Sequence, residues 1–219
     1  MSKIANKVVP ALLTDKQEAL QAMLDLCAKF TDFAQIDIMD GEFVPSKSVT
    51  INQLKTIKTS IGNEAHLMVK DPLAWLEAFK AIKCSRIIYH FEALSDHGNV
   101  INEIRRQGLK VGLAVNPQTK ISEFRSLVPQ VDRLLFMAVN PGFYGAPFIP
   151  DVLSKIKEFK KAFPAVAAGI DGGVKKENLI DILKSGVDFV CVGSAILKAP
   201  EPQAAYNDLL KMTTQISHA

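Results

Sequence analysis

Phe33-Ala34-Gln35-Ile36-Asp37-Ile38-Met39 is the stretch on which the fold turns. Side chains of an extended strand alternate between its two faces. Ala34, Ile36 and Ile38 are small or aliphatic and suit a face packed on helices, which leaves Gln35, Asp37 and Met39 on the other. In a closed barrel one face of each strand packs on helices and the other fills the interior. The next strand-like run, Asn63-Glu64-Ala65-His66-Leu67-Met68-Val69, has the same parity: Ala65, Leu67 and Val69 outward, His66 and Met68 inward. Two neighbouring strands thus bring Gln35, Asp37 and His66 to one internal site.

Working outward, further short apolar runs start near Lys7, Arg86, Lys110, Arg133, Ala165 and Asp188. Each is followed by a helical pattern, such as Lys16 to Lys29 with Ala19, Leu20, Met23, Leu24 and Cys27 on one face, or Val152 to Phe163 with Leu153, Ile156 and Phe159. The starts recur every ~26 residues, the length of one βα unit. Eight such units with no linker or composition shift predict an α/β fold, a single (β/α)8 TIM barrel over residues 1–219. A doubly wound sheet is the alternative, because one sequence does not reveal strand order.

The chain has 219 residues, 48% hydrophobic and 22% charged, which excludes collagen, coiled coil and disorder. Its 26 basic and 23 acidic residues are well mixed, so nucleic acid is not an expected partner. No run approaches the ~18 apolar residues of a membrane span. Met1-Ser2-Lys3-Ile4 leads into a strand-like run without a signal-peptide core, so the expected location is cytoplasmic. Cys27, Cys84 and Cys191 are odd in number and widely spaced, and read as core thiols. A homo-oligomer is compatible with the sequence, although neither Trp75 nor the helix faces mark an interface.

Barrels of this architecture carry their chemistry at the C-terminal strand ends. Gly172-Gly173-Val174 after strand 7 and Gly193-Ser194 after strand 8 permit close backbone approach and aim N–H groups at an anion, the expected phosphate site. Gly142 to Gly145 after strand 6 reads as a flap or third contributor. Asp37 and Asp171, placed by strand number on opposite sides of the ring, could offer acid and base to two faces of one substrate. Together with His66 they also supply the carboxylate and imidazole ligands that a divalent ion accepts. His90 and Glu92 share the inward parity of strand 4 and are expected behind these groups. Met39, Met68 and Met137 point inward near strand ends as an apolar floor of the substrate pocket or as core filling. Asp40-Gly41 reads as turn chemistry, and His97 and His218 as surface residues.

Taken in order, Asp37-Ile38-Met39-Asp40-Gly41 with Phe43-Val44-Pro45, His66-Leu67-Met68-Val69, Asn140-Pro141-Gly142-Phe143, Asp171-Gly172-Gly173-Val174 and Gly193-Ser194-Ala195-Ile196 resemble the ribulose-phosphate 3-epimerase family. The resemblance runs from Pro10 to about Ile196. It implies a barrel that interconverts ribulose 5-phosphate and xylulose 5-phosphate through a metal-stabilised enediolate. It further implies Asp37 and Asp171 as acid/base pair and metal ligands with His66, one divalent ion (Zn, Fe, Mn or Co), and Gly172, Gly173, Gly193 and Ser194 around the phosphate.

The chain departs from the family pattern at four places. Gln35 stands where the family has a His ligand, and its carbonyl oxygen is a poorer ligand than imidazole for Zn²⁺. Ala11 replaces a Ser, and Tyr144-Gly145-Ala146 replaces Gly-Gly-Gln. Ser46-Lys47 also replaces the usual Asn after Phe-Val-Pro. The expectation is therefore an epimerase that inverts C3 of a small sugar phosphate, ribulose 5-phosphate to xylulose 5-phosphate. The readings left open are a hexulose-phosphate 3-epimerase, a lyase or decarboxylase on the same scaffold, and a metal-free sugar-phosphate-binding barrel.

Overall fold

The computed structural model describes residues 7–142 and 146–215. The readings placed on residues 1–4, on Phe143-Tyr144-Gly145 and on His218 lie outside the described residues. The strands are β1 Val8–Leu12, β2 Phe33–Met39, β3 Gly62–Met68, β4 Arg86–His90, β5 Lys110–Val115, β6 Arg133–Met137, β7 Ala167–Asp171 and β8 Phe189–Val192. They pair in parallel in sequence order, and β8 returns to β1, with Val9 opposite Cys191, to close the barrel. Closure excludes the doubly wound sheet.

Helices lie between and after the strands: α1 Gln17–Cys27, α2 Ile51–Leu54, α3 Leu76–Ala81, α4 His97–Arg106, α5 Ile121–Phe124, α6 Asp151–Ala162, α7 Lys176–Lys184, α8 Ser194–Leu197 and α9 Pro202–Gln215. The crossovers after β2 and β5 are single turns rather than full helices. After α2 the chain runs Lys55-Thr56-Ile57-Lys58-Thr59-Ser60, where β-branched and hydroxyl side chains favour other backbone states. After α5, Pro129 prevents continuation.

The alternation on β2 and β3 is as expected. Ala34, Ile36, Ile38, Ala65, Leu67 and Val69 belong to the layer between barrel and helices. Inside the barrel, Val9, Ala11, Ile88, Ala114, Leu135, Phe189 and Cys191 form a separate apolar layer. Gly169 makes it possible, since a Cβ there would lie 2.1 Å from the Phe189 ring.

A charged group sits toward the N-terminal strand ends. Glu64 is fully buried, and its carboxylate accepts from Nη1 of Arg86 at 2.7 Å and from Nη1 of Arg133 at 3.0 Å. The Arg133 guanidinium also lies 4.2 Å from the centre of the Phe189 ring. The Nε atoms of both arginines are buried without a hydrogen-bond partner, so Glu64 is the principal compensation for two buried cations.

Candidate active site

Strand register assembles the other end of the barrel. Asp37 pairs with His66 and Met39 with Met68 across β2 and β3. Met137 pairs with Asp171 across β6 and β7, and Asp171 with Cys191 across β7 and β8. The ring places β2 and β7 three steps apart through β8 and β1, so the two aspartates are not diametrically opposed as their numbering suggested. Their side chains nevertheless meet.

Ligand atoms of Asp37, His66 and Asp171, all buried, lie within 4.8 Å of one another. Nδ1 of His66 is 3.1 Å from Oδ1 of Asp37 and 3.4 Å from Oδ2 of Asp171. Gln35, fully buried, donates through Nε2 to Oδ1 of Asp37 at 2.8 Å and to Oδ2 of Asp171 at 2.6 Å. Its Oε1 faces away and accepts from Sγ of Cys191 at 3.1 Å. Among carboxylates that accept only, the amide must present its nitrogen.

Burial raises the Asp37 carboxyl to about 6, with the hydrogen bond from His66 working against the rise. Burial likewise opposes charge on His66, but hydrogen bonds to Asp171 and Asp37 outweigh it and lift the imidazole to about 9. At neutral pH a proton is thus held between the carboxylates.

A second row supports this one. Nε2 of His66 lies 3.0 Å from Nε2 of His90, whose Nδ1 lies 3.3 Å from Oε2 of Glu92. Oε1 of Glu92 accepts from the Thr119 hydroxyl and from the Asn116 backbone N–H at 2.8 Å. With Nδ1–H of His90 donating to Glu92, its Nε2 is free to accept from His66, which fixes the tautomers along the chain. His97 is half-buried rather than a surface residue, its ring stacked 4.9 Å from Phe91.

The loops above are shaped by turn chemistry. Asp40 accepts at Oδ1 from the N–H groups of Glu42 and Phe43 and at Oδ2 from that of Lys70, tying loop 2 to loop 3. The Ser46 hydroxyl donates to the Gly142 carbonyl at 2.5 Å and joins loop 2 to loop 6. After Asp171 the backbone takes positive φ at Gly172 (105°) and Gly173 (66°), a conformation other residues rarely adopt. Asn178 pins that loop: Nδ2 donates to the Gly173 carbonyl at 2.9 Å, and Oδ1 accepts from the Lys175 N–H at 2.8 Å.

Over the cluster opens a cavity of about 340 Å³. Asp37, His66 and Asp171 line it, and so do Met39, Met68 and Met137. Gly142, Gly172, Gly173, Gly193 and Ser194 form another part of its wall. Gln35 lies beneath and does not reach the space. Two lysines escaped sequence reasoning, Lys175 and Lys198, both exposed and lining the cavity. Each follows one of the glycine loops within five residues, a signal that could have revealed them. Cys191, expected as a core thiol, is buried and free, but it also lines the cavity.

Two carboxylates and an imidazole within that distance suit a divalent ion, so the residues present fit a three-ligand metal centre. The amide N–H groups of Gln35 are aimed at the same oxygens, which opposes a cation there.

Fold and site together define a (β/α)8 barrel enzyme with an Asp-His-Asp cluster at the C-terminal mouth. The chain belongs to the ribulose-phosphate 3 epimerase family, whose pattern matches residues 3–197. It is 32% identical over 192 residues to the ribulose-phosphate 3-epimerase of Mycobacterium leprae (strain TN), covering 85% of this chain and 86% of that one. It is 31% identical over 211 residues to the enzyme of that name from Bacillus subtilis (strain 168), covering 93% and 97%. It is therefore an isomerase of the epimerase type acting on carbohydrates. Among solved structures, 3-hexulose-6-phosphate synthase from Salmonella typhimurium superposes with a TM-score of 0.71 at 18% identity, covering 95% of this chain and 99% of that one. Thiamine phosphate pyrophosphorylase from Pyrococcus furiosus gives 0.67 at 16%, covering 96% of each. Both show a shared fold only. No helix of the described residues is long and apolar enough to cross a membrane.

Proposed function

We propose that this chain inverts C3 of ribulose 5-phosphate to give xylulose 5-phosphate, with Asp37 and Asp171 exchanging the proton on the two faces of the substrate. The observation that carries this is the convergence of two buried carboxylates, from β2 and β7, on one point of the cavity. The C3 proton lies next to the C2 carbonyl. Its removal by one carboxylate leaves an enediolate, and delivery of a proton by the other to the opposite face completes the inversion. Asp37, lifted to about 6, stands close enough to neutral pH both to hold and to release that proton. The proton on His66 holds positive charge at the same point, and His90 and Glu92 keep that ring oriented. A divalent ion, when held by Asp37, His66 and Asp171, supplies charge that stabilises the developing oxyanion. Met39, Met68 and Met137 exclude water.

The phosphate is assigned to the backbone N–H groups of Gly172, Gly173, Gly193 and Ser194, with Gly142 opposite and the two lysines at the rim. Gly173→Val would force a β-branched residue to φ 66° and put a Cβ 3.2 Å from that of Phe148. We expect KM to rise about tenfold or more, with a parallel loss of inhibition by inorganic phosphate. Unchanged values of both would move the phosphate elsewhere. A cytoplasmic setting accompanies this function and accords with three buried free cysteines.

Ion binding must displace the proton held on His66. From about pH 9 downward, affinity for Mn²⁺ or Zn²⁺ should therefore fall about tenfold per pH unit, and more steeply below about 6, where Asp37 also binds a proton. Titration calorimetry at several pH values checks this, and a flat profile would contradict it. Turnover of ribulose 5-phosphate against a hexulose 6-phosphate, followed by NMR, tests the substrate. Faster inversion of the hexulose would favour the longer sugar, and binding of both without inversion would favour a binding protein.

A further inference from the structure

We propose that Gln35 is a positioning residue that stands in for the cation: its amide NH₂ clamps Asp37 and Asp171 together and competes with a divalent ion for the same carboxylates. This rests on the assignment of Asp37, His66 and Asp171 as an ion site. It reverses the role expected of Gln35 as a weak oxygen ligand.

Three observations carry it. Nε2 donates to one carboxylate oxygen on each side, at 2.8 Å to Asp37 and 2.6 Å to Asp171, and lies 3.4 Å from Nδ1 of His66. It therefore touches one polar atom from each residue of the candidate ion site. The amide cannot readily turn its oxygen inward, because Oε1 is held from behind by the Cys191 thiol at 3.1 Å. Turned over, it would point its oxygen at two carboxylates and its two N–H donors at a sulfur, which accepts weakly. Finally, Gln35 is fully buried and pairs with Ala11 on β1 and Glu64 on β3, so it has no alternative solvent-exposed position.

Hydrogen bonds to ionised oxygens are the strong kind, and an ion entering the cluster would have to displace two of them. The carboxylates thus keep their spacing without an ion, and affinity for the ion is lowered.

The test is the sign of a change in ion affinity, measured on the full chain by competition with a chromophoric chelator for Zn²⁺ and for Mn²⁺. Gln35→Met keeps the length of the side chain and removes the amide. If Gln35 competes, this variant binds each ion at least tenfold more tightly than the parent. If Gln35 is an oxygen ligand, it binds more weakly, and the proposal is overturned. Equal affinities overturn it too, as does failure of both forms to bind.

Cys191→Ala leaves the amide in place but releases its oxygen, and should raise affinity a few-fold. It covers the case in which Gln35→Met does not fold, as judged by thermal unfolding. No change in Cys191→Ala, where it is the only folded variant, would overturn the anchoring and with it the proposal. None of these readouts requires turnover, so failure of the parent to epimerise ribulose 5-phosphate would strike the substrate assignment and leave the competition measured.

Discussion

Asp171→Asn and Asp37→Asn should each lower turnover of ribulose 5-phosphate by about 10²-fold or more, the lower end of what a positioned acid or base contributes. Inversion needs a proton taken from one face and another given to the opposite face, so an amide at either position blocks one half-reaction in both directions. Either substitution also removes a charge that His66 and the Gln35 amide face, while the Asn carbonyl oxygen can still accept from them. Both losses should therefore exceed the contribution of one acid/base group. The residual chemistry is informative, because a variant with one working carboxylate should still exchange the C3 proton of a single epimer with solvent. Deuterium incorporation then identifies which aspartate serves which face. Parent-like rates in both variants, with folding verified by circular dichroism, would remove the two aspartates from the mechanism.

Glu64→Gln should destabilise the folded chain by about 3–5 kcal/mol, the usual cost of breaking a buried ion pair from one side. The carboxylate is fully buried between Nη1 of Arg86 at 2.7 Å and Nη1 of Arg133 at 3.0 Å. A neutral amide leaves two guanidinium groups facing each other inside the barrel without their principal countercharge. The Phe189 ring 4.2 Å from Arg133 offsets a small part of this, since cation–π contacts contribute on the order of 1–2 kcal/mol. Urea unfolding measures the loss. A change below about 1 kcal/mol would mean that water reaches this end of the barrel and screens the charges.

Much of the fold was legible because barrel strands obey a period of two. The seven residues from Phe33 to Met39 fixed parity, and every strand start read from the sequence lies within two residues of the observed one. Strand order was not legible, since hydrogen-bond partners across the barrel leave no mark on a single strand. The shortness of α2 and α5 was not legible, because Ile51–Leu54 and Ile121–Phe124 each begin a helical pattern that the following sequence does not sustain.

In the site, parity brought Gln35, Asp37 and His66 to one point, whereas strand number set Asp171 across the ring from Asp37, and only the closed barrel shows that their side chains meet. The direction of the Gln35 amide was not legible either, because composition shows that an amide is present but not which end faces the carboxylates. The Glu64 network was missed for a related reason. Arg86 and Arg133 stand at strand starts, where charged residues ordinarily mark the edge of the apolar run, and only closure of the ring turns them inward.

Incubation of the purified protein with ribulose 5-phosphate in D₂O, followed by NMR, tests the central claim most directly. The two-aspartate account predicts xylulose 5-phosphate carrying solvent deuterium at C3, formed at a rate that collapses in Asp171→Asn. Ribulose 5-phosphate recovered with its C3 proton intact, in the presence of Zn²⁺, Fe²⁺, Mn²⁺ or Co²⁺ as well as without them, would contradict it.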